Sequence, residues 1–464
     1  MFYMKIMSFI FISINILLHT NVFADGYQSP TFGIYIHDGY GEDIIERVAK
    51  TGASFTYVKI FWNDVETIQD TWNWGPADSR ILPKISRGIH VGVKLVSSNH
   101  WGTEPISMSR KINRKKGRVQ RDSVPPKDLD YEWSSTYGYS RDYYDFVYKV
   151  VRKYGDKVKY WAIENEITYQ LNFTGGLEKY RLLLATAYKA VKDARRDALV
   201  LNHGPSSGSY GEAIAFELFD SGRQREALDF YNDYMFPHRL SKKVTDIAEL
   251  RDIFKKNNAS GKYEIIIEGL KNSRNYDVYQ LHFYDKAEML DRVLSWIKKK
   301  KKEFSNNRPI VCWEMGYYWK NNSTYNKEEH AADIFKKVII LLANDIGVIN
   351  YHSIFGRSKK GDPWRGLYET YSGREKRPAG FVYENLIKLF EQNECRTIIA
   401  IRDGLYSCRS KDKELFFLWA ETDKKYLPGN IRDVTPYDIY GNPHKRTENG
   451  NSREAPVYYI MNSL

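Results

Sequence analysis

Eight short apolar runs recur along the chain, at residues 31–37, 55–62, 90–97, 158–166, 198–203, 278–284, 309–316 and 347–355. Each is apolar on both of its alternating faces, the pattern of a strand covered on both sides. Between them, apolar positions return at helical spacing over 43–51, 139–154, 177–194, 287–300 and 327–342, several stretches ending in glycine or a basic turn. Strand and helix patterns in alternation predict a parallel sheet, and eight repeats predict an α/β chain folded as a (β/α)8 TIM barrel. The connections at 99–138 and 205–275 are long. Both leave from the C-terminal ends of strands, where a barrel builds its cleft.

After a helix at 381–392 the texture changes to short alternating runs at 397–401, 404–408, 415–420, 434–438 and 456–460, separated by turn residues. This predicts a small C-terminal antiparallel β-sandwich domain at 393–464, docked on a barrel at 25–392. The first 24 residues read differently. Lys5 precedes an apolar run at 6–18, and Val22-Phe23-Ala24 offers small residues for a signal peptidase. Cleavage after Ala24 is expected, with export to the periplasm or the extracellular space. No later stretch reaches the roughly 20 apolar residues of a spanning helix, so stable membrane insertion is not expected.

Composition narrows the partner. The formal charge is +12, which suits nucleic acid, but 36 Tyr and 11 Trp in an exported chain suit carbohydrate, because aromatic faces stack on sugar C–H surfaces. The sequence carries no phosphate loop and no metal-ligand spacing, so neither a nucleic-acid partner nor a metal or other cofactor is expected. A basic run, Arg110-Lys111, Arg114-Lys115-Lys116, Arg118 and Arg121, lies in the long connection after the third strand and suits an anionic polysaccharide or plain solvated surface. Lys298–Lys302 closes a helix, where cations suit the dipole. Of three cysteines, Cys395 and Cys408 are spaced to pair, with bonded and free states both open, while Cys312 lies in an apolar strand.

The chemistry stands at two strand ends. The fourth run closes on Trp161-Ala162-Ile163-Glu164-Asn165-Glu166, and the seventh on Cys312-Trp313-Glu314-Met315-Gly316. Strand alternation puts Glu164 and Glu166 on one side and Asn165 on the other, unless a bulge or twist redirects them. Two carboxyls at the same end of one barrel are driven to different pKa values, which is what acetal hydrolysis needs: one acid for the leaving oxygen, one carboxylate for the anomeric carbon.

At these residues the chain resembles the clan A retaining glycoside hydrolases, with Asn-Glu ending strand four and Glu ending strand seven, and is similar to family 39 and to bacterial exopolysaccharide-degrading glycosidases. The resemblance implies Glu166 as acid/base, Glu314 as nucleophile and Asn165 as donor to the 2-hydroxyl of the attacked sugar. It implies substrate contacts for His282 and Tyr284 at the sixth strand's end, and for Trp62 and Trp101 beside the cleft. Two departures bear on the site. Lys59 stands where relatives carry arginine, and the eighth strand has His352 and no tryptophan, with Trp364 in the following loop as a substitute floor. The competing reading is a catalytically silent glycan-binding protein on a glycosidase scaffold.

Overall fold

The computed structural model describes residues 30–105, 123–130, 132–169, 172–318, 325–355, 366–369, 375–395, 397–410, 412–419, 427, 429, 434–443 and 456–462. The expected signal segment, Trp364 and the basic run 110–121 lie outside the described residues. The chain proceeds as β1 (Thr31–Ile34), α1 (Glu42–Lys50), β2 (Phe55–Phe61), α2 (Trp62–Val65), α3 (Gly75–Ile85), β3 (His90–Val96), α4 (Arg141–Tyr154), β4 (Tyr160–Ile163), α5 (Gly176–Ala194) and β5 (Leu199–Leu201). The long fifth connection holds α6 (Ser207–Asp220), α7 (Gln224–Met235), α8 (Ile247–Asn257) and α9 (Ala259–Lys271). Then follow β6 (Tyr279–Phe283), α10 (Ala287–Glu303), β7 (Ile310–Met315), α11 (Lys327–Ala343), β8 (Val348–Tyr351) and α12 (Pro378–Gln392).

Strands β1 to β8 pair in parallel in the order β5-β4-β3-β2-β1-β8-β7-β6. A parallel bridge between Leu201 and Val278 joins β5 to β6 and closes the barrel. Inward-facing Tyr35, Phe55, Tyr57, Ala162, Leu201, Val278, Val311 and Trp313 pack its lumen. Space there is tight: a Cβ on Gly92 of β3 would meet the Trp313 ring at 2.3 Å, so glycine is what lets the indole lie across the barrel. Opposite faces of the same strands, such as Val58, Ile60, Val93 and Leu95, pack against the helices, which is why the runs read as apolar throughout.

The C-terminal domain follows as β9 (Ile398–Arg402), β10 (Leu405–Arg409), β11 (Lys413–Leu418), β12 (Tyr437–Asp438) and β13 (Val457–Asn462), an antiparallel sheet in the order β12-β13-β11-β10-β9. One face packs on the barrel's last helices, with Phe390 of α12 stacked on Phe417 at 6.0 Å. The other buries Phe416 and Tyr459 against Leu427 and Val434. Cys395 and Cys408 are bonded, tying the exit of α12 to β10, and Cys312 is buried. Among the described residues no helix is long and apolar enough to cross a membrane.

Sequence and structure differ most at the C-terminal ends of strands. The fourth run was expected to 166 and the eighth to 355, whereas β4 stops at Ile163 and β8 at Tyr351. Beyond these points the chain departs from regular strand geometry.

Candidate active site

Plain alternation along β7 would send Val311 and Trp313 into the barrel and Glu314 out to the helices. A bulge prevents this. Leu281 of β6 pairs with Cys312, yet the next residue, His282, pairs with Glu314, so Trp313 is an extra residue in β7. Trp313 therefore fills the lumen and Glu314 also points inward, one layer higher, the re-aiming that bulges provide. Its Oε1 accepts from the Tyr57 hydroxyl at 2.5 Å and from Lys94 Nζ at 3.1 Å. Its Oε2 accepts from the Tyr284 hydroxyl at 2.7 Å, with His282 Nδ1 at 3.7 Å. Burial opposes ionisation of this side chain, which is only 6% exposed, but His282, Lys94, His352 and Lys59 outweigh it and hold the carboxyl well below the usual range. Tyr57 is pushed the other way, first by burial and then by Glu314's charge, so it stays a phenol and a donor.

At the end of β4 the backbone turns left-handed at Glu164 (φ 65°) and Glu166 (φ 47°), a region that non-glycine residues rarely occupy. The turn overrides alternation. Glu164 is fully buried away from the cleft, accepting from the Ser97 amide at 2.8 Å and the Ser123 hydroxyl at 2.6 Å; burial raises its pKa and those bonds lower it, with burial prevailing. Asn165 instead reaches Lys94, whose ammonium donates to Asn165 Oδ1. Glu166, its amide bound to the His203 carbonyl at 2.9 Å, sends its carboxyl across to His282 Nδ1 at 3.0 Å.

The hydrogen bonds around His282 fix its tautomer. Gln280 Nε2 donates to the Asn202 carbonyl, which leaves Gln280 Oε1 to accept from His282 Nε2 at 2.8 Å. With the hydrogen on Nε2, Nδ1 is the ring atom that faces Glu166 Oε1. His203 beneath is kept neutral, first by burial and then by His282, which bring its pKa down to about 3.

Glu166, His282 and Glu314 each present a ligand-type atom within 4.8 Å of one another, a cluster that linear spacing did not reveal. A metal ion there would have to compete with the Lys94 ammonium and two phenol donors already on Glu314.

The remaining residues expected at the site divide. Tyr284 and His282 line it. His352, directly after β8, is 1% exposed, stacks on Tyr35 at 4.6 Å and lends charge to Glu314. Lys59 is the register partner of Lys94 on the neighbouring strand, and its charge acts on Glu314 through space. Lys94 donates directly to Glu314. Trp62 does not face the cleft: it begins α2, is 0% exposed, stacks on Phe146 at 5.6 Å and donates from Nε1 to Glu66 at 2.7 Å. Trp101 leans edge-on against Trp62 at 5.4 Å and donates to the Glu66 carbonyl at 3.0 Å, half-buried.

Lys94, Tyr57 and Gln280 were missed. Each had a signal: a lysine inside an otherwise apolar strand, and polar side chains two residues before Lys59 and before His282 on the same strand face.

No family model and no curated protein matches the chain. Solved structures do. A family 39 glycoside hydrolase from Bacteroides cellulosilyticus WH2 superposes with a TM-score of 0.57 at 13% identity, covering 93% of this chain and 81% of that one. The chain has the fold of the family 39 glycoside hydrolases. A family 39 β-xylosidase from Caulobacter crescentus (TM-score 0.52, 12% identity) covers 94% of this chain and 97% of its own. A family 30 endoxylanase from Clostridium papyrosolvens C71 (TM-score 0.50, 11% identity) does the same at 94% and 97%.

Proposed function

We propose that this protein is a retaining glycoside hydrolase that cleaves O-glycosidic bonds of an oligo- or polysaccharide by double displacement. The observation that carries the reading is the pair Glu166 and Glu314, with oxygens within 4.8 Å of each other and unlike surroundings. Retaining enzymes need carboxyls about 5–5.5 Å apart for direct attack, and inverting enzymes leave about 6.5–9.5 Å for a water. Glu314, held ionised, attacks the anomeric carbon as the bond to the leaving oxygen breaks and Glu166 gives that oxygen a proton. A glycosyl ester on Glu314 results. Glu166, now a carboxylate, takes a proton from water; the water oxygen attacks the anomeric carbon, and the ester electrons return to Glu314. Asn165 donates to the 2-hydroxyl of the sugar under attack.

The named activities of similar structures, β-xylosidase and endoxylanase, support this class of reaction. The amino-terminal 24 residues support export to the periplasm or outside the cell, and the basic run Arg110–Arg121 supports an anionic polysaccharide as substrate. The test is hydrolysis of 4-nitrophenyl glycosides and of neutral and acidic polysaccharides by the purified protein, beside Glu314→Gln. Turnover by the wild type and none by the variant is expected. Glycan binding without turnover by either would favour the silent scaffold.

A further inference from the structure

We infer that Lys94 is a positioning residue that locks the orientation of Asn165 and returns Glu314 to its carboxylate form. The first half of the argument is independent of the reaction, and the catalytic consequences rest on the glycosidase reading. Lys94 is 0% exposed, and an ammonium so placed persists only with partners. It has three: Asn165 Oδ1, Glu314 Oε1 at 3.1 Å, and the face of the Tyr57 ring at 4.9 Å. Nothing else on β3 is charged between His90 and the strand's end.

An ammonium only donates, so the atom of Asn165 that faces it must be the amide oxygen. The Asn165 NH2 group is thereby turned away from Lys94, free to donate to a sugar hydroxyl. Without Lys94 the amide can flip, and in the flipped state it presents an acceptor where a donor is needed. One side chain thus couples the group that reads the 2-hydroxyl to the group that attacks the neighbouring carbon.

The second consequence concerns the ester. When Glu314 bonds to the anomeric carbon its charge is spent, and buried Lys94 keeps Asn165, the Tyr57 ring and an uncharged ester oxygen in place of a carboxylate. When that C–O bond breaks, its electron pair returns to the carboxylate and restores the ion pair, so Lys94 favours the second displacement. Losing it should slow release of the sugar from Glu314 and lower kcat more than kcat/KM.

Two measurements test this. The first is a melting-midpoint cycle over Lys94→Met, Glu314→Gln and the double variant. If the two charges answer each other, Glu314→Gln raises the midpoint of Lys94→Met while lowering that of the wild type. A double variant no more stable than Lys94→Met overturns the pairing, including the case in which neither folds. The second compares the best-hydrolysed 4-nitrophenyl glycoside with its 2-deoxy analogue. The wild type should prefer the 2-hydroxyl by about 10²-fold, the worth of one transition-state donor. Lys94→Met should fall to the ratio of Asn165→Ala, and retention of the wild-type ratio overturns the role assigned to Lys94. A wild type inactive on every glycoside would defeat the proposed function, while the melting cycle would still decide the pairing.

Discussion

Glu314 and Glu166 carry the same carboxyl group, hold oxygens within 4.8 Å of each other, and live in different media. Glu314 sits on a bulged strand inside the barrel, where two phenols and an ammonium donate to it. Glu166 stands beyond the end of β4 on a left-handed turn, 19% exposed, facing an imidazole already committed on its other side. Chemical role here follows from the donors each strand end supplies. A third glutamate sharpens the point: Glu164, two residues from Glu166, is sealed against Ser97 and Ser123 and holds the wall in place.

The largest effect should come from Glu314→Gln, which removes the proposed nucleophile and leaves its donors in place. The kcat on an aryl glycoside should fall about 10⁴-fold or more, measured with near-native circular dichroism. A loss under tenfold would break the division of labour.

Next is Glu166→Ala. Glycosides with poor leaving groups should lose about 10²–10⁴-fold in rate, while 2,4-dinitrophenyl glycosides lose far less because their leaving oxygen needs no proton. Azide should accelerate the activated substrate and yield a glycosyl azide. Equal losses on both substrates with no azide effect would remove Glu166 from this role.

Smaller again are Tyr57→Phe and Tyr284→Phe. Burial raises the Glu314 pKa, and the charges of His282, Lys94, His352 and Lys59 lower it more; a phenol that donates to the carboxylate favours the ionised form as well. In the proposed reaction Glu314 must be ionised to attack, so its pKa should set the acid limb of kcat/KM. Removing a donor raises that pKa and moves the limb to higher pH, at a cost of about 10-fold to 10²-fold below it. An unmoved limb would mean that the phenols merely pack.

The smallest catalytic effect should be that of Glu164→Gln. Its kcat should stay within a few-fold of wild type, while stability falls by about 1–3 kcal/mol as one of the two buried acceptor oxygens facing the Ser97 amide and the Ser123 hydroxyl becomes an NH2 donor. Urea unfolding beside a kinetic assay separates the two.

The strand repeat made the barrel legible, because the apolar runs are covered on both faces, and the glutamates stood out by closing two of those runs. What escaped was direction. Period-two reasoning put Glu164 with Glu166 and cannot see that positive φ at both residues swings Asn165 and Glu166 into the cleft. It cannot see the extra residue in β7 either, since a bulge is a property of the pairing with β6. The resemblance implies a cleft position for Trp62, but β2 ends at Phe61 and the helix that starts at Trp62 turns the indole into the core. Lys94 hid in the apolar third run, although a lysine buried there needs a partner.

The central claim is that Glu314 bonds to the sugar while Glu166 does not. Incubation with a panel of 2-deoxy-2-fluoro glycosyl fluorides, followed by proteolysis and mass spectrometry, reads this directly. The account predicts time-dependent inactivation by one sugar of the panel, with a single fluoroglycosyl label on Glu314. A label on Glu166, or hydrolysis of the natural linkage with inversion and no label, would contradict it.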